Sequence, residues 1–143
     1  MALSQLLYIS DAVRAISLDD LLAIQDVSIR NNARQNITGI LFHTEGKFVQ
    51  FLEGDHNEIR QLFATICTDH RHKNVRLLYQ RPSNQRVFAD WHMAMLDLQL
   101  HSEVDRIDLQ ELVYQAAHPR HLPGGEPSDL PILYRFRALL QEA

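Results

Sequence analysis

The chain has 143 residues, with 14 basic and 18 acidic side chains, a formal charge of −4 and a hydrophobic fraction of 45%. That suits one domain with an appendage, and the balanced composition argues against a disordered or fibrous chain. The negative balance offers no general attraction to nucleic acid or to an anionic membrane surface.

Cys67 is the single cysteine, so no intramolecular disulfide can form, a reducing compartment is expected, and its apolar helical context makes it core filler. The N-terminus has neither a secretory pattern nor a run approaching a membrane span. A soluble, cytoplasmic protein is expected.

Leu3 to Ser10 alternates apolar and polar positions and reads as a strand. Ser17 then opens S-L-D-D, an N-cap with acids in the first turn, and Leu21, Leu22, Ile24, Gln25, Ser28 and Ile29 carry helical spacing to about Asn32. Asn36–His43 and Lys47–Gly54 are β-rich runs joined by Thr44-Glu45-Gly46, which predicts a hairpin. Ile59, Leu62, Phe63, Ile66 and Cys67 predict a second helix from Asn57 to Asp69. Two further strands are expected over Val75–Tyr79 and Trp91–Leu98.

The order β-α-β-β-α-β-β predicts an α+β fold, a ferredoxin-like sheet with right-handed crossovers placing two helices on one face. Two C-terminal helices are expected in addition. Ser102 to about Ala117 has a cap and a stripe of Val104, Ile107, Leu112 and Val113, and after the PGGEP connector Ser128–Glu142 carries Leu133, Phe136, Leu139 and Leu140. The expected division is 1–98 for the core domain and 99–143 for a helical extension able to cover the bare sheet face, a partner, or both.

The chemistry gathers between the first two helices. Ile24, Ser28, Asn31 and Asn32 follow one helix face, while Leu62, Ile66 and Asp69 follow the other and lead into His70-Arg71-His72. Beneath this slot, Tyr8 shares strand parity with Leu6 and Ser10, and Gln50 with Phe48 and Leu52, so both can point into it. Convergent buried amides and a phenol need partners. A heteroaromatic ligand with amide-like edges would satisfy them; alternatively Tyr8 and Gln50 bond backbone, and Asn31 and Asn32 cap the helix end.

Tyr8 in LLYIS, Ser28 with Asn31-Asn32, Ile37-Thr38-Gly39-Ile40-Leu41, Phe48 to Gly54 (FVQFLEG), Arg71-His72 and Arg86-x-Phe88-x-x-Trp91-x-Met93 together resemble the BLUF family over about residues 3 to 98. His92 departs from the small polar residue that often stands there. The resemblance implies a non-enzymatic blue-light photoreceptor that binds a flavin, FAD or else FMN. Ile24, Ser28 and Ile66 would contact the ring, Asn31 and Asn32 its carbonyl edge, and Asp69, Arg71 and His72 the ribityl side or the adjacent ring edge. Tyr8 would be the photo-oxidised donor, Gln50 the hydrogen-bond switch, and Trp91 and Met93 the relay. Strand alternation would turn His92 away from Trp91 and Met93, toward the tail helices.

The same resemblance implies signalling through protein–protein contact. The sequence holds no effector domain, so a separate effector protein and a homo-oligomer are expected, with no nucleic acid or membrane partner. Eight histidines raise the question of a metal, but no companion ligands complete a recognisable spacing. A ferredoxin-like phosphate-ester hydrolase would want a Gly-rich anion cradle before the first helix, and Asp11–Ser17 has no Gly. A plain structural interaction module is the third reading.

Overall fold

In the computed structural model, which describes residues 2–141, the chain runs through β1 (Leu3–Ala12), α1 (Leu18–Gln35), β2 (Thr38–Thr44), β3 (Lys47–Asp55), α2 (His56–Cys67), β4 (His72–Pro82) and β5 (Ala94–Asp97). The sheet order is β4-β1-β3-β2-β5. The first four strands pair antiparallel, and β5 adds parallel to β2. This is the expected ferredoxin-like α+β sheet, extended at one edge by a fifth strand. Leu6, Tyr8, Leu41, Phe48 and Leu52 form one core with Leu21 of α1 and Ile59 of α2, so both helices lie on one sheet face. Burying each large aliphatic or aromatic side chain contributes about 1.5–3 kcal/mol.

Local chemistry sets the helix limits. Ser17 and Asp20 form a reciprocal capping box at the start of α1. The helix ends on Asn36, which adopts the left-handed conformation at φ 53°. Asn31 and Asn32 therefore lie inside α1 and are not its caps. Asp55 caps α2 through the Asn57 and Glu58 amides. The β2–β3 hairpin turns on two positive-φ residues, Glu45 at 49° and Gly46 at 75°, the geometry that matches strand twist. At Gly39 any Cβ would collide with the Phe51 carbonyl, so glycine is required where β2 meets β3.

Three expectations need correction. The strand expected over Val75–Tyr79 is longer, His72–Pro82, because β4 is an edge strand whose outward polar positions carry no burial signal. The strand expected over Trp91–Leu98 is confined to Ala94–Asp97; Trp91, His92 and Met93 bend off the ladder. Strand alternation therefore says nothing about His92. Cys67 is exposed at the end of α2 rather than buried.

The chain divides into two compact units, up to Gln99 and from Leu100. In the second, α3 (Glu103–Ala117) and α4 (Leu130–Gln141) are joined by a bidentate Arg135–Asp108 pair at 2.9 and 3.3 Å. Ser102 caps α3 as expected, but the buried positions are Leu109, Leu112, Gln115 and Ala116, while Val104 and Ile107 are exposed. Glu142, expected in the last helix, lies outside the described residues.

Glu53, on β3, is fully buried. Its Oε1 accepts from the Val87 amide at 2.6 Å and Gln5 Nε2 at 3.3 Å, and its Oε2 from the Phe88 amide at 2.8 Å and Thr38 Oγ1 at 3.4 Å. Burial outweighs these bonds and raises its carboxyl above the ordinary glutamate range. The folded state thus holds the proton more tightly than the unfolded chain, so this group's contribution to stability falls as pH rises through its raised pKa. We expect Glu53→Ala to strand two buried amides and cost about 2 kcal/mol or more in denaturant unfolding. Glu53→Gln should flatten the decline in stability above the ordinary glutamate pKa; an unchanged pH profile would contradict this.

Candidate functional site

Tyr8 and Gln50 are directly opposed on the neighbouring strands β1 and β3. The Tyr8 hydroxyl donates to Gln50 Oε1 at 2.5 Å, and Gln50 Nε2 lies 3.4 Å from Met93 Sδ. Tyr8 is 3% exposed and Gln50 6%, so water does not compete for the bond. Burial, reinforced by the Asp69 carboxylate, raises the Tyr8 phenol well above its ordinary pKa. The proton therefore stays on the phenol in the resting state.

Above this pair opens a cleft of about 170 Å³ between α1 and α2. Ile24, Val27 and Ser28 of α1 face Leu62, Thr65 and Ile66 of α2 across it, with Leu41 and Phe48 on the sheet. Asn31 and Asn32 reach it from the end of α1, and Asp69, Arg71 and His72 from the segment after α2. Every residue expected at the ligand, Ile24, Ser28, Asn31, Asn32, Gln50, Ile66, Asp69, Arg71 and His72, thus lines one cleft with Tyr8.

Several of these side chains are already committed. Asn32 Nδ2 donates to the His92 carbonyl at 2.7 Å, leaving Oδ1 to serve the cleft. Arg71 grips Asp69 through Nε at 3.0 and 3.1 Å and Nη2 at 2.5 Å, which holds the Asp69 carboxyl down at about 2. His72 Nε2 lies 2.7 Å from the Ile66 carbonyl, which can only accept, so this nitrogen carries a proton; Nδ1 then accepts from the Ser10 hydroxyl at 2.8 Å. His72 thus offers the cleft its ring rather than a polar atom, standing edge-on to Tyr8 and Phe48.

Met93 is buried beside Gln50, whereas Trp91 is half-buried and packs on Phe88 at 6.3 Å. Sequence reasoning did not choose between them. It also missed Val27, Leu41, Phe48 and Thr65 as lining residues. Val27 lies three residues after Ile24, Thr65 three after Leu62, and Leu41 pairs with Gln50, so periodicity and register carried the signal.

The BLUF family, described as sensors of blue-light using FAD, matches residues 3–94. A photoactivated adenylate cyclase beta subunit of Euglena gracilis is 42% identical over 90 residues, 62% of this chain and 10% of that protein. The solved dark-state structure of BlrB, a BLUF protein, is 28% identical with a TM-score of 0.74, covering 96% of this chain and 97% of the other. Klebsiella pneumoniae BlrP1, solved with FMN and cyclic diGMP, is 27% identical with a TM-score of 0.68, covering 97% of this chain and 33% of the other. The chain spans about a tenth of the length of the Euglena relative.

The His72 geometry is testable by itself. In ¹⁵N NMR spectra of the neutral ring, Nε2 should be the protonated nitrogen, and Ser10→Ala should shift the Nδ1 resonance. A proton on Nδ1 with a bare Nε2 would refute the assignment.

Proposed function

The chain belongs to the BLUF family of blue-light sensors that use a flavin, and from that premise we propose that FAD binds in the cleft between α1 and α2, with Tyr8 and Gln50 as its photoactive pair. The observation that carries the reading is the buried 2.5 Å hydrogen bond from Tyr8 to Gln50 on the cleft floor. Membership of a sensor family displaces the hydrolase and plain interaction-module readings.

The residues suit a flavin. Aliphatic walls from Ile24 and Val27 on one side and Leu62 and Ile66 on the other accept the faces of a planar ring. Asn31, Asn32 and Gln50 supply amide groups that match its carbonyl and imide edge. Asp69 and Arg71, a neutralised pair, would flank the ribityl side or the adjacent ring edge. FAD is the cofactor named for the family, and FMN is the alternative carried by one relative.

When bound, the flavin supplies blue-light absorption and an acceptor for an electron. Tyr8 holds its proton at Oη, aimed at Gln50 Oε1. Because burial penalises the phenolate, Tyr8 would release its proton along the bond to Gln50 Oε1 only together with an electron given to the flavin. Gln50 has an acceptor at Oε1 and a donor at Nε2, so rotation or tautomerisation of its amide changes what it presents to Tyr8 and to the cleft. The contact Nε2 makes in the resting state, to a thioether sulfur, is weak and easily exchanged. Trp91 and Met93 relay the change through the segment they share.

Residues 1–98 act as the sensor and 99–143 as its output extension. The output passes by protein–protein contact to a separate effector, in a homo-oligomer within the cytoplasm. No helix among the described residues is long and apolar enough to cross a membrane.

The full chain should be yellow, release FAD on denaturation, and show a red-shifted flavin band after blue illumination. Tyr8→Phe and Gln50→Leu should each retain flavin and lose the normal shift; a normal photocycle in either rejects the assignment. Truncation after Gln99 should keep the shift and lose light-dependent association. A soluble truncated core that still associates fully in light would place the output surface on the sensor instead.

A further inference from the structure

Between the connection fixed by Glu53 and the start of β5, three consecutive residues leave the sheet ladder, and all of their carbonyls are taken. The Trp91 carbonyl accepts from the Gly39 amide at 3.0 Å. The His92 carbonyl accepts from Asn32 Nδ2 at 2.7 Å, and the Met93 carbonyl from Gln25 Nε2 at 3.1 Å. The His92 ring adds a fourth tie, its Nδ1 lying 2.8 Å from the Ile37 carbonyl. A carbonyl only accepts, so Nδ1 carries the proton and His92 is a donor. Two helix side chains and one imidazole thus hold a segment that regular strand pairing does not.

This segment carries the methionine that touches Gln50. The Sδ contact is itself a weak restraint on Met93, whose side chain is held by core packing and whose backbone is held by the side-chain ties. Gln25 and His92 are both partly exposed, so water can replace each bond as it breaks. Neither residue lines the cleft.

We propose that Gln25 and His92, together with Asn32, are positioning residues that latch the Trp91–Met93 segment to α1 and to the start of β2, and that this latch sets how fast the light-adapted chain returns to its dark state. The inference rests on the reading of Gln50 as the switch. Rearrangement of Gln50 disturbs Met93, and the segment moves only as far as its ties allow. Weakening the ties favours the displaced arrangement and slows the return.

The test uses the full flavin-loaded chain and the variants Gln25→Leu, His92→Phe and His92→Asn. Flash-induced absorbance gives the red shift and the dark recovery rate, and amide hydrogen exchange follows Met93 and Ala94 in the dark. Gln25→Leu and His92→Phe should keep the dark spectrum and the red shift, slow recovery about two- to tenfold each, as expected for one lost hydrogen bond, and speed exchange at Met93 and Ala94. His92→Asn, which restores a donor, should return both readouts toward the parent values. Unchanged recovery in both deletion variants, or His92→Asn behaving like His92→Phe, overturns the latch. The exchange arm needs no light, so parent-like exchange in the variants rejects the latch whatever the photocycle does. Absence of any red shift in the parent chain instead rejects the Tyr8–Gln50 reading, and with it the latch's role in recovery.

Discussion

The hydrogen bond from Tyr8 to Gln50 is the interaction on which the rest depends, and it exists because β1 and β3 lie side by side in a fixed register. A slip of one residue between the strands would put the two side chains on opposite sheet faces and break the bond. The register is held by continuous pairing from Leu3 with Asp55 to Asp11 with Lys47. At its far end Asp11 is also tied to Lys47 at 2.7 Å and to Asn74 of β4 at 2.9 Å, which lowers its carboxyl below the ordinary range. These exposed contacts add little energy. Their geometry joins three strands at the open end of the sheet.

A single hydrogen bond is a small signal. Rearranging one is worth about 0.5–1.5 kcal/mol net, whereas moving a two-state element from 1:99 to 99:1 takes about 5.5 kcal/mol. The structure addresses the gap by placing Gln50 against a segment with little regular structure of its own. That segment is bounded on one side by Val87 and Phe88, whose amides are fixed by the buried Glu53 carboxylate, and on the other by β5. Between these firm ends Trp91 keeps backbone bonds to Gly39 and Phe88, while the carbonyls of His92 and Met93 are held by side chains. On the proposed reading, a rearranged Gln50 would move Trp91–Met93 before it moved the sheet.

The cleft separates two kinds of chemistry. Its aliphatic sides tolerate a flat ring without competing for hydrogen bonds. Its polar groups stand toward its two ends, Asn31 and Asn32 at the end of α1 and Asp69, Arg71 and His72 after α2, and several are pre-paired: Asn32 to backbone, Arg71 to Asp69, and His72 to Ser10 and Ile66. Pre-pairing fixes their orientation before any ligand arrives, which reduces the entropic cost of binding. The guanidinium that lines the cleft, Arg71, is paired with its own neighbour Asp69.

Much of this was legible in the sequence because it depends on local period and on parity. The Ser17 cap, the hairpin with Gly46, the apolar spacing of both helices and the shared parity of Tyr8 with Leu6 and of Gln50 with Leu52 are properties of neighbouring residues, and they located the sheet face and the slot. Strand limits were less legible: β4 is an edge strand with polar outward positions, and Trp91–Met93 has strand-like composition but spends its carbonyls on Gly39, Asn32 and Gln25. Those partners lie more than fifty residues away in the chain, and no local pattern encodes them. For the same reason, only the tertiary structure could seat Met93 rather than Trp91 against Gln50, occupy both nitrogens of His72, and turn the His92 ring to the Ile37 carbonyl. Periodicity states which face a side chain takes; the partner it meets there is set by how distant elements pack.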